Sequence, residues 1–123
     1  MNILVKILTV VVGIIFVASG LQWAIIPSQA GVSLGLILPE GIGISSMMGD
    51  VGGFFMGGGI MVVLGLKTKN ATWFHATAIL AATAAVYRVI AWAAHGAPLT
   101  ISFIIIEILM TIVMILAAKK LCD

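Results

Sequence analysis

Charge is what this chain has least of. Six basic and four acidic residues stand among 123, and 63% of the residues are hydrophobic. With a mean hydropathy of +1.31, an ordinary water-soluble domain is excluded, because so short a chain would expose much of its apolar surface and aggregate. Cysteine is nearly absent. Cys122 stands alone, which rules out an intrachain disulfide, a C-x-x-C redox pair and a thiolate metal site. The isoelectric point near 9.0 does not point to nucleic acid, since no basic stripe with interleaved aromatics exists. No serine or cysteine has a base at a recognisable nucleophile spacing. The fourteen glycines include no G-x-x-x-x-G-K-[ST] phosphate loop. No cofactor motif is present.

What the chain does have is four long apolar runs, at about 3–26, 47–66, 71–94 and 99–118. Each supplies the roughly 20 apolar residues needed to cross a hydrocarbon core. The first begins like a signal peptide, with Lys6 ahead of an apolar core and small residues at Ala18 and Ser19. The run continues through Trp23 to Ile26, however, and reads as an uncleaved first helix. The expected fold is an all-α, up-down, four-helix bundle in the membrane, a single domain over 1–123.

The five lysines give the direction. Lys6, Lys67, Lys69, Lys119 and Lys120 all fall at the ends of runs that share one face, whereas the opposite links carry Glu40 and no lysine. The positive-inside rule then predicts that both termini are cytoplasmic. In a bacterium the membrane would be the inner one, since helical spans do not build outer-membrane barrels. Lys67–Asn70 and Gly96-Ala97-Pro98 read as tight turns, which makes the last three helices sequential antiparallel neighbours. The segment from Pro27 to Ser46 is too apolar for a solvated loop. Pro27-Ser28 looks like a stop and a cap, and Pro39-Glu40-Gly41 like a turn. A short helix lying in the outer interface is expected there.

Small residues suggest how the helices pack. Gly49, Gly53 and Gly57 recur at i+4, Gly52, Gly58, Gly59 and Gly65 thicken the pattern, and Ala78, Ala81, Ala82, Ala84 and Ala85 offer a matching surface on the third span. Close packing of these two helices is favoured over a homodimer motif. The scattered methionines read as adaptable packing, and Trp23, Trp73 and Trp92 stand near span ends, as an interfacial aromatic belt requires.

The remaining ionisable groups, Asp50, Arg88, His95 and Glu107, lie inside or at the mouths of the runs, and a charge at the centre of a span costs about 2.5–3.5 kcal/mol on insertion scales. Arg88, Trp92 and His95 stand at i, i+4 and i+7 and share one face. Glu107 shares a face of the fourth span with Thr100 and Thr111. From the helical rise, Arg88 lies roughly 9–10 Å and Glu107 roughly 12 Å below the outer ends of their helices. Asp50 opens the second span and Gln22 nears the outer end of the first. Gln22, Asp50, Arg88, Trp92, His95 and Glu107 are therefore the candidate ligand-binding residues. An ion pair of Arg88 with Glu107, Asp50 or both describes the geometry without excluding function. One arginine against two carboxylates leaves a net negative charge unless His95 or a carboxylate holds a proton, which marks a functional-site candidate. His75 lies most of a bilayer away from His95, so the histidines cannot share a metal. His95, Asp50 and Glu107 lack a recognisable ligand spacing, and no metal is expected.

Three strings carry a family resemblance: Gly20-Leu21-Gln22-Trp23 with Pro27, Gly49-Asp50-Val51-Gly52-Gly53-Phe54-Phe55, and Arg88-Val89-Ile90-Ala91-Trp92-Ala93-Ala94-His95-Gly96 followed by Glu107. Together they resemble the small four-span bacterial membrane proteins catalogued as domain of unknown function 4345, over essentially the whole chain. More loosely the architecture is similar to DoxX-type proteins, some of which are subunits of quinone-linked oxidoreductases, and to four-helix sterol-isomerase-like folds. The resemblance implies the fold and the site but no activity. Three functions compete: binding or accessory protein for a membrane lipid or other lipophilic small molecule; structural subunit of a homo-oligomer or larger membrane complex; enzyme using Glu107 or Asp50 as acid/base. The lack of a soluble domain and a cofactor motif favours the non-catalytic readings, the first above all.

Overall fold

The computed structural model describes residues 2–122. Among them the chain is helical and has no strand: α1 (Asn2–Ile25), α2 (Pro27–Ser33), α3 (Ile42–Thr68), α4 (Ala71–His95) and α5 (Ile101–Lys120). All but α2 are long and apolar enough to cross a membrane, and only 22–28% of the most apolar stretch of each is buried. Ile79, Val86 and Tyr87 on α4 and Ile105 and Leu109 on α5 are all more than half exposed. Apolar surface on this scale needs lipid as its solvent. The chain has the build of a multi-pass membrane protein.

Local chemistry sets the helix ends. Asn70 caps α4 by accepting the Thr72 amide at 3.0 Å, and Thr68 at the end of α3 accepts the Asn70 amide at 3.3 Å. Gly96 stops α4 in the left-handed region at φ 70, a conformation that costs glycine little. Within the spans the threonine hydroxyls donate back one turn: Thr9 to the Val5 carbonyl at 2.7 Å, Thr77 to Trp73 at 3.0 Å and Thr111 to Glu107 at 2.7 Å. Each leaves no unpaired polar atom in an apolar surrounding.

One boundary differs from expectation. A short helix does form after Pro27, but α3 begins at Ile42 and not at Met47. Asp50 therefore stands about 12 Å of helical rise inside α3. The stabilisation that a helix N-terminus gives a carboxylate fades beyond the first turn and does not reach it. Asp50 instead belongs to a widened π turn at Met48–Gly52.

The chain forms two compact units, Val11–Ile60 and Met1–Val10 with Met61–Asp123. In the first, α1 and the start of α3 run antiparallel: Trp23 faces Gly52, Gly20 faces Met56, and Phe16 and Val17 face Gly58 and Gly59. Phe16 and Trp23 are buried, and Phe16, Phe54 and Phe55 form an aromatic cluster with centroids 5.3–5.9 Å apart. Two packing expectations are corrected here. Gly49, Gly53 and Gly57 face open space; Gly52, Gly58 and Gly59 make close contacts with α1, and Gly65 makes the expected one with α4, at Phe74. Trp23 is 2% exposed and is a core residue, not a member of an interfacial belt.

In the other unit α4 packs along α5. Thr77, Ala78, Ala81 and Ala85 of α4 are buried, as are Glu107, Met110, Met114 and Ala117 of α5. Phe74 of α4 is fully buried and lies against Gly65 near the end of α3.

Candidate functional site

The α4–α5 hairpin brings Arg88 and Glu107 together. The Arg88 Nε–H is shared between both carboxylate oxygens, 2.9 Å from Oε1 and 3.0 Å from Oε2. The Glu107 side chain is 12% exposed and that of Arg88 30%. The guanidinium carbon also lies 4.7 Å from the centroid of the Phe103 ring, within cation–π range. Phe103 precedes Glu107 by one turn, so one face of α5 supplies both the counter-charge and the aromatic platform.

This geometry leaves the arginine half used. A guanidinium has five N–H donors, and the ion pair occupies only Nε. Among the described residues neither Nη1 nor Nη2 has a hydrogen-bond partner. Four donors of a fixed cation are therefore available to an acceptor from outside the chain.

An apolar groove of about 350 Å³ runs between the same two helices, with Ala85, Val86 and Val89 of α4 on one wall and Ile104, Ile108 and Thr111 of α5 on the other; neither Arg88 nor Glu107 lines it. Ala85 lies one turn before Arg88, and Thr111, whose hydroxyl donates to the Glu107 carbonyl, lies one turn after Glu107. Along each helix the charged residue thus stands within one turn of a groove residue. Apolar walls with a few converging polar groups are the usual form of a small-molecule site.

The other candidate residues stand as follows. Trp92 is 49% exposed, and His95, the last residue of α4, is exposed; neither lines the groove. Gln22 and Asp50 belong to the unit Val11–Ile60. Gln22 is half-buried and lines a shallow cleft of about 390 Å³ with Ser28, Gln29, Val32 and Ser33. Asp50 is exposed in the π turn. The expected contact of Arg88 with at least one carboxylate is made by Glu107.

Sequence reasoning missed Phe103 and the groove. Phe103 had a signal, the i, i+4 spacing to Glu107. The groove had none, because its residues are ordinary span residues. No protein-family model, curated protein or solved structure matches the chain.

Proposed function

We propose that this is an inner-membrane protein that binds a lipophilic small molecule, a lipid or isoprenoid-type amphiphile, without transforming it. The observation that carries the reading is the unspent Nη pair of Arg88, on the same two helices that form an apolar groove about one helical turn away. An oxygen acceptor on the ligand's head would take the two N–H forks, and its tail would lie between α4 and α5. Glu107 keeps the guanidinium in place. With both oxygens already engaged by Nε, Glu107 is better suited to holding Arg88 than to acid–base chemistry. Relationship to the domain of unknown function 4345 family is part of this proposal and rests on the Arg88–Gly96 string and Glu107.

Native mass spectrometry of the detergent-purified chain tests the reading. The chain should retain a lipophilic adduct, and Arg88→Lys should reduce its occupancy about tenfold or more. Lysine keeps the charge but cannot both pair with Glu107 and present a planar fork, and a hydrogen bond to a charged group contributes about 1.5–3 kcal/mol. Equal adduct on both proteins would overturn the proposal. A second reading, docking subunit of a larger complex, draws on the open stripe of Gly49, Gly53 and Gly57. Co-purifying protein subunits without any small-molecule adduct would favour it.

The orientation belongs to the same proposal. We place both termini in the cytoplasm and α2 with the following links in the outer interface, on the strength of the lysine distribution. A cysteine introduced by Glu40→Cys in a Cys122→Ser background should react with a membrane-impermeant maleimide in intact cells. Cys122 of the unaltered chain should react only after permeabilisation, and the reverse pattern would invert the topology.

A further inference from the structure

A second polar feature lies where α3 and α5 end. Lys6 of α1, Lys69 of the α3–α4 link and Lys120 of α5 line one cleft of about 300 Å³, together with Leu66, Leu121 and Cys122. These lysines come from three segments far apart in sequence, and among the described residues none has an ion-pair partner. Like charges gathered around a small volume repel each other and are relieved by an anion among them. Lys69 adds an independent sign. It adopts φ 56, the only non-glycine among the described residues with a positive φ, and its amide closes α3 on the Gly65 carbonyl at 2.9 Å. Glycine is the unstrained choice at such a helix end, and a side chain held there at a conformational cost points to a use for that side chain.

We propose that this cleft is an anion site for a phosphate group. Three lysines lining one cleft match the several oxygens and the charge of a phosphate, which lysine binds as a point charge. Basic pockets between spans at a membrane face are suited to phospholipid heads, and Leu66 and Leu121 supply apolar wall for the glycerol end of a lipid. Phosphate could arrive on an anionic lipid or as a free small anion; both present the same chemistry to the lysines. The site is separate from the Arg88 groove and does not depend on it.

The full chain in nanodiscs of phosphatidylcholine with a minor share of phosphatidic acid tests this. Native mass spectrometry should show phosphatidic acid retained over phosphatidylcholine. Each cleft lysine removed should lower retention about fivefold, and Lys6→Gln/Lys69→Gln/Lys120→Gln together roughly a hundredfold. Lys67→Gln/Lys119→Gln removes charge from the same helix ends outside the cleft and should leave retention within about twofold of the parent. Lys69→Gly, which relieves the backbone while removing one charge, should raise the melting temperature and still lower retention. That combination separates loss of binding from loss of fold. Inorganic phosphate at millimolar concentration identifies the source: displacement of the lipid marks a site that takes free phosphate, and persistence of the lipid marks a headgroup site. Equal losses in the cleft and control variants, or none in either, would overturn the proposal.

Discussion

Arg88→Ala should be among the most destabilising single substitutions in this chain, with a loss of about 3–5 kcal/mol. The cost comes mainly from what is left behind. Glu107 is 12% exposed, and Arg88 is its ion-pair partner. Removing the guanidinium leaves a carboxylate in an apolar surrounding, where it must either stay charged and poorly solvated or take up a proton. Lys119, exposed at the end of α5, provides the comparison: Lys119→Ala should change stability by less than about 0.5 kcal/mol. Thermal unfolding in detergent reads both, and equal melting temperatures would sink the idea. The double variant Arg88→Leu/Glu107→Leu sharpens the test. Replacing a buried pair by apolar side chains is often neutral or stabilising, so the double variant should recover most of the lost melting temperature. It should still fail to retain a small-molecule adduct. Recovery of stability without recovery of binding would show that the pair is kept for its donors and not for the fold.

The reasons why some features were legible in the sequence and others were not are physical. A span is one-dimensional information: about 20 apolar residues with charges at the ends declare themselves regardless of context, and all four appeared. The Arg88–Glu107 pair was legible for a similar reason. Only a few charges lie inside the spans, and the short link at Gly96-Ala97-Pro98 obliges α4 and α5 to be neighbours. The start of α3 was not legible. Gly43, Ser45 and Ser46 are weak helix formers ahead of the apolar run, but Ile42–Met47 is helical and continues without a break into the rest of α3, where neighbouring turns outweigh weak local propensity. Which glycines make contact was ambiguous in principle. Gly49, Gly53 and Gly57 form one stripe, and Gly52, Met56 and Gly59, at i, i+4 and i+7, form another one position round the helix. Periodicity cannot choose between them. The partner offered the missing clue, because Phe16, Gly20 and Trp23 have the same i, i+4, i+7 spacing on α1 and all three are buried. Reading Trp23 as an interfacial residue used its depth and ignored its face.

That pairing of stripes leads to the other large effect expected, Gly20→Ala. The added Cβ would stand 2.9 Å from the Cβ and backbone nitrogen of Met56 and 3.0 Å from its Cα. Two of these atoms are backbone, so no rotamer change on α3 can relieve the clash, and the two helices must move apart. The displaced contact is the one that carries Trp23 onto Gly52, where an added Cβ would likewise stand 2.9 Å from the Trp23 Cβ. Overpacking a close contact costs about 1–3 kcal/mol. In lipid the loss is not offset by hydrophobic attraction between helices, because close van der Waals fit is a main source of their association. Gly53→Ala is the control. Nothing lies within 4 Å of a Cβ there, and alanine is favoured over glycine inside a helix by about 1 kcal/mol. Gly53→Ala should therefore be neutral or mildly stabilising. Melting curves of the two variants should move in opposite directions from the parent, or Gly53→Ala should stay level while Gly20→Ala falls. If Gly20→Ala melts with the parent and Gly53→Ala falls, the open stripe is the face in use, and Gly49, Gly53 and Gly57 are covered by a second protein chain in the membrane.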